Sequence, residues 1–195
     1  MLPLTVLLTG SFADADCQLA VFLWLCHFGR RAAEAQVVHQ YGQPSVPTAD
    51  TALELAYYWA FAAWIGHAFA TGADRLQGPP WVSALGLVLF AWAEWGNNRV
   101  HRLLAKIRRG KANPARRAVP HGPAFALVSC PHYGFEILSW VAFNVACGAT
   151  AAGAAFAALG AAILTFYALR KHAAYKKEFK TGVPSERKAI IPYVL

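Results

Sequence analysis

Long apolar runs, separated by short polar or basic stretches, organise this chain. Leu19–Phe28 is apolar and runs into Arg30 and Arg31; with Ala32–Val38 behind it, the pattern predicts a helix leaving a membrane on its basic side. Tyr41–Asp50 carries two prolines and a glycine and reads as a loop. Thr51–Thr71 matches the span of about 20 apolar residues that a bilayer requires, with Asp50 or Thr51 placed to cap it. Gly72–Pro80 is a short turn. Trp81–Asn98 is a further span whose helical pattern continues to Arg109, and Gly110–Pro123, with three prolines and two glycines, is a basic loop. Ala124–Gly148 is a fourth long run, interrupted near Pro131, and Ala149–Leu169 is rich in alanine and glycine, the composition of close helix packing in membranes. A half-basic, half-apolar tail covers Arg170–Leu195. No repeat or linker divides the chain, so residues 1–195 read as one all-α domain, a multi-pass transmembrane bundle of about five spans.

Composition agrees with that pattern. Hydrophobic residues make up 57% and charged residues 14% of the 195, against about 25% charged in an average soluble domain. The formal net charge of +8 raises nucleic acid as a partner, but its placement argues against one. Eight Lys/Arg and no acid lie between Arg99 and Arg117, and seven Lys/Arg with two Glu lie between Arg170 and Lys188. Both clusters abut apolar runs, as the positive-inside rule and anionic headgroups require. With Arg30/Arg31 and both clusters on one side, two crossings separate each neighbouring pair, and that basic face is cytosolic. Cys17, Cys26, Cys130 and Cys147 show no CxxC spacing and read as reduced. The start has no standard signal peptide. No HxxxH or HExxH spacing points to a metal, and no GxGxxG, Walker loop or GxSxG is present.

Ionisable groups inside the apolar runs are costly, about 2.5–3.5 kcal/mol each on insertion scales, and call for partners or a function. Glu54, His67, Glu94 and Glu136 are of this kind. Glu54 reads as interfacial, and His67 and Glu94 as structural. Glu136 differs: it falls in the stretch Val128–Trp140, where proline and glycine bracket His132 and Tyr133, and it lies one turn beyond Tyr133, placed to share one cavity with it.

Four stretches and the tail resemble the steroid 5α-reductase family of membrane NADPH-dependent ene reductases, and within it the very-long-chain trans-2-enoyl-CoA reductases. His27-Phe28-Gly29-Arg30-Arg31-Ala32-Ala33-Glu34 with Val38-His39, and Tyr57-Tyr58-Trp59-Ala60-Phe61-Ala62-Ala63-Trp64, are similar to segments of that branch. Gly96-Asn97 with His101 and Arg108, and Val128–Trp140, resemble family segments. So does the tail: Lys171-His172, Tyr175, Lys177, Phe179, Pro184, Arg187 and Ile191-Pro192.

The resemblance implies hydride transfer from NADPH to the β-carbon of a trans-2-enoyl thioester, with protonation at the α-carbon, in fatty-acid elongation at the endoplasmic reticulum membrane. Tyr133 matches the tyrosine that acts as proton donor or carbonyl partner. Arg30 and Arg31 match a basic pair suited to phosphate. Asn97, Arg108, His132, Glu136, His172, Tyr175 and Arg187 match the cofactor side. Long-chain enoyl-CoA, the bilayer and elongase components are the implied partners. His132 stands where the enoyl-CoA and steroid branches carry asparagine, while Pro-His-Tyr occurs in polyprenol reductases; reduction of a polyprenol or steroid is therefore an alternative. The enoyl-CoA reductases also carry an N-terminal ubiquitin-like region and earlier spans with a functional glutamate, and Met1 falls just beyond that point. A shortened, non-catalytic membrane relative is a second alternative. An isoprenylcysteine-type methyltransferase is a third, although its motif order is His-Pro and the order here is Pro131-His132.

Overall fold

Six helices follow the apolar runs: α1 (Leu2–Leu8), α2 (Ala15–Val37), α3 (Thr48–Thr71), α4 (Pro80–Arg109), α5 (Pro131–Ala146) and α6 (Ala151–Phe179). The computed structural model describes residues 2–8, 14–40, 47–72, 75–76, 78–109, 118–180 and 182–195. The expected loop over 41–46, parts of the 72–80 turn and residues 110–117 of the basic loop lie outside them.

Local chemistry sets the helix limits. The Asp14 carboxylate caps α2 by accepting from the Asp16 and Cys17 amides at 2.8 and 3.2 Å. Helix α3 begins at Thr48, three residues before the expected Thr51 and directly after Pro47, so Asp50 sits in its first turn. It stops at Gly72, whose φ of 68° suits a residue without Cβ. Helix α4 joins the Trp81–Asn98 run and its continuation into one helix of 30 residues, with Lys106, Arg108 and Arg109 at the end where cations are favoured.

The fourth run departs from expectation. Only its second part is helical, because Pro131 occupies the first turn and cannot sit further inside a helix. Residues 123–125 form a 3-10 turn, and Val128 pairs in parallel with Lys188 of the tail. At 16 residues α5 is about 24 Å long, short of the roughly 30 Å hydrocarbon layer.

The helices meet around two apolar clusters. In the larger one, Phe156 of α6 is surrounded by Trp24, Tyr57, Tyr58, Phe61 and Trp140. The smaller one joins Cys130, Ala168, Ala189 and Ile190, with Tyr133 and Ile137 against it. Glycines permit the close crossing of α4 on α5: a Cβ would fall 2.5 Å from the Ala146 backbone nitrogen at Gly86 and 2.5 Å from a Phe135 ring carbon at Gly96. On the outside, Trp59, Trp64, Trp81, Trp92 and Trp95 are each at least half exposed.

Among the described residues the fold is all-helical, as expected. One helix, α6, is long and apolar enough to cross a membrane by length and composition. In α2 and α4 the second halves carry Arg30, Arg31, Glu34, Glu94, Arg99 and Arg102, which dilute runs that are otherwise long enough.

Candidate active site

Two polar stripes with identical spacing build the centre of the molecule. His27, Arg30, Arg31 and Glu34 occupy positions i, i+3, i+4 and i+7 of α2, and Glu94, Asn97, Asn98 and His101 repeat that spacing on α4. Such spacing puts each set on one helical face. The faces meet. Arg30 donates to Glu94 Oε2 at 2.7 Å, Glu34 Oε1 at 2.6 Å and Asn97 Oδ1 at 3.0 Å. Arg31 donates from Nη1 to Glu34 Oε2 at 2.7 Å, and His101 Nδ1 lies 2.7 Å from the same oxygen and 2.9 Å from Arg31 Nη1. Asn98 donates to Glu34 Oε1 at 2.5 Å. Glu34, only 2% exposed, is thereby shared by four residues.

Helix α5 adds His132, Glu136 and Trp140, spaced by fours. Asn97 Nδ2 donates to the His132 carbonyl at 2.8 Å and to Glu136 Oε2 at 2.9 Å. The other Glu136 oxygen lies 3.3 Å from His27 Nε2 and 3.4 Å from Arg31 Nε. The His27 ring is held by Glu94 at Nδ1, 2.7 Å away, and by the Trp140 indole N–H at Nε2, 3.3 Å away. Three carboxylates thus face two guanidiniums and two imidazoles in one buried cluster. Partners at this density are what buried charges need.

The cluster opens on one side. A cavity of about 360 Å³ is lined by Trp24, Phe28, Tyr58, Trp59 and Ala62, with Arg31 and Glu136 supplying its polar atoms. Beside it, Glu34, His39 and His101 bring possible metal-ligand atoms within 4.8 Å of one another. The Arg31 guanidinium already lies against Glu34 and His101 there, so a protein cation takes the place of a metal ion. Burial, then the nearby His101 and Arg31, holds His39 below the usual imidazole range.

The side of α5 that meets α6 and the tail is different. Tyr133 accepts a hydrogen bond from Lys171 Nζ at 2.6 Å, and its ring lies 4.3 Å from that of His132. Ser129 Oγ and His172 Nδ1 share a hydrogen bond of 2.8 Å. Arg187 is 2% exposed and donates to the Pro120 carbonyl at 3.1 Å. Backbone bonds from Ser129 N to Lys188 O and from Cys130 N to Ala189 O, both 2.9 Å, fasten the tail to the start of α5. His132 Nδ1 and Arg187 Nε are buried atoms that no protein group satisfies.

Of the residues singled out from sequence, Arg30, Arg31, Asn97, His132 and Glu136 come together directly. Tyr133, His172 and Arg187 gather on the tail side, and Tyr175 stacks near Phe179 one turn beyond His172. Arg108 stands apart, hydrogen-bonded to the Gln40 carbonyl, about 16 Å along α4 from Asn97. Glu136 lines the 360 Å³ cavity described above, and Tyr133, one turn earlier on α5, meets Lys171 instead. His27, Glu34, Glu94, Asn98, His101 and Lys171 were given no role from sequence. The repeated i, i+3, i+4, i+7 polar spacing on two helices is the signal that identifies most of them.

Comparison with known proteins gives the family. A family model described as 3-oxo-5-alpha-steroid 4-dehydrogenase matches residues 47–195. A Caenorhabditis elegans protein described as a "Probable very-long-chain enoyl-CoA reductase" is 34% identical over 186 residues, covering 91% of this chain and 59% of its own length. The very-long-chain enoyl-CoA reductase of Dictyostelium discoideum is 32% identical, covering 95% of this chain and 59% of its own length. The polyprenal reductase of Danio rerio is 32% identical, covering 91% and 60%. The chain thus spans about three-fifths of the length of these curated relatives. With most of its residues matched, and relatives above 30% identity along nearly all of it, this chain belongs to the 3-oxo-5-alpha-steroid 4-dehydrogenase family.

Proposed function

We propose that this chain reduces the 2,3 double bond of a trans-2-enoyl-CoA with NADPH, in very-long-chain fatty-acid elongation at the endoplasmic reticulum membrane. The observation that carries this reading is the aromatic cavity closed by Arg31 and Glu136. Its indole and phenyl walls suit an acyl chain, and its charged end suits a polar thioester head. Exposed tryptophans around the bundle support a multi-pass placement of α2–α6, with the basic loop and tail cytosolic and elongase components as partners.

A nicotinamide cofactor suits the tail side of α5. Arg187 Nε, His172 and Tyr175 offer polar atoms there, and His132 Nδ1, Asn97 and Glu136 of the α4–α5 cluster complete the set that would hold it, with Arg108 further out. When bound, NADPH supplies the hydride for the β-carbon. Tyr133 gives the proton to the α-carbon. Arg31, the more exposed of the pair at 29% against 18% for Arg30, takes the phosphate or thioester end. Arg30, tied to Glu34, Glu94 and Asn97, holds the α2–α4 junction.

The test is NADPH oxidation by the purified chain in detergent with a long-chain trans-2-enoyl-CoA. Tyr133→Phe is expected to slow turnover by at least about 10²-fold and to leave NADPH binding intact. Near-normal turnover in that variant removes the proton-donor role. His132, and the likeness to a polyprenal reductase, favour a second reading, in which a polyprenyl carbonyl or alkene replaces the thioester. Oxidation dependent on such a substrate, with none on enoyl-CoA, selects it.

A further inference from the structure

We infer that Lys171 is a positioning residue for Tyr133: it turns the hydroxyl and returns its proton after each transfer. This rests on the proton-donor role of Tyr133 proposed above. An ammonium has three donors and no acceptor, so the 2.6 Å contact makes the Tyr133 oxygen the acceptor. The hydroxyl hydrogen is then directed away from Lys171 and is free to face a substrate. The same Nζ lies 4.6 Å from the centre of the Tyr133 ring.

The fold fixes this contact from below. Ala168, fully buried against Cys130, Ala189 and Ile190, anchors α6 at the start of α5. Lys171 follows one turn later on the same face. It is exposed, so it exchanges protons with water. Among the described residues no carboxylate pairs with it, unlike Arg30 and Arg31.

The step balances. A bound NADPH would supply the hydride for the C–H bond at the β-carbon as the double bond is lost, and would be released as NADP+. The Tyr133 O–H bond breaks and its proton bonds to the α-carbon. The phenolate, stabilised by the adjacent ammonium, takes a proton from Lys171, and the amine takes one from water.

Three substitutions test the assignment in the purified chain. Lys171→Met is expected to lower kcat by roughly 10²-fold, with KM and NADPH affinity unchanged. Lys171→Arg restores a donor but not a readily transferable proton, so it falls between Met and wild type. Ethylammonium added to Lys171→Ala should restore turnover saturably, which a merely structural role does not allow. Without substrate or cofactor, Lys171→Met should move the Tyr133 ring-carbon resonance in protein labelled with ¹³C-tyrosine. Wild-type turnover in Lys171→Met, or loss that neither arginine nor ethylammonium relieves, overturns the inference. So does an unmoved resonance. If Tyr133→Phe turns over normally, the donor role itself has failed. If Tyr133→Phe is inactive while Lys171→Met is not, only the role of Lys171 has failed.

Discussion

The two faces of α5 solve opposite problems. Toward α2 and α4, Glu136 and the His132 carbonyl meet a network in which every carboxylate has at least two partners from other residues or helices. Toward α6 and the tail, Tyr133 meets one exposed ammonium and a small apolar patch. The first face pairs its guanidiniums with protein carboxylates, Arg30 Nη2 being left without a partner among the described residues, and it fixes how three helices cross. The second keeps the exposed Lys171 ammonium and the buried Arg187 Nε, neither paired with a carboxylate among the described residues. Dense charge pairing therefore sets the helix crossings, while the sparser face leaves its cation open to water.

Breaking the closed face should have the larger effect. Glu34→Ala strands two guanidiniums and an imidazole in a buried site and is expected to cost about 3–5 kcal/mol, measured by thermal unfolding in detergent. A loss under 1 kcal/mol would mean that water or lipid headgroups replace Glu34, and the two faces would then not differ in kind. Arg187→Ala attacks the open face. Losing its bond to the Pro120 carbonyl should cost about 2 kcal/mol. Hydrogen exchange should quicken at the Ser129, Cys130 and Lys188 amides while those of α2 and α4 stay protected; a uniform rise would make the tail part of the same cooperative unit. The smallest effect belongs to His39, at the rim of the closed face. Its imidazole is held below its ordinary value of about 6.5, so the unfolded chain binds more protons as pH falls through that value, and stability declines. His39→Gln should flatten that slope between pH 7 and 5 by less than about 0.5 kcal/mol, since solvent still screens this half-buried group.

The helices were legible because each apolar run is long and ends in a residue with a backbone reason to end it, such as Gly72 or Pro131. The part of the fourth run before Pro131 was not, because Val128 and its neighbours are apolar for a different purpose: they pair with the tail. Within the site, the resemblance singles out Arg30 and Arg31 apart from Asn97 and Glu136, and does not say that the two pairs touch. Glu94 reads as structural on its own helix, but its partners His27 and Arg30 lie 67 and 64 residues earlier. Which stripe faces which is a tertiary fact that spacing along one helix does not contain.

The parallel pairing of Val128 with Lys188 has a consequence for biosynthesis. The segment that props the start of α5 leaves the ribosome only after α6 has been made. Helices α2 and α4 can lock their charges together early, while Tyr133 waits for its neighbours to be translated. The Tyr133 end of the molecule is thus finished last, and a stalled nascent chain would hold α2 and α4 together while the start of α5 still lacked its prop.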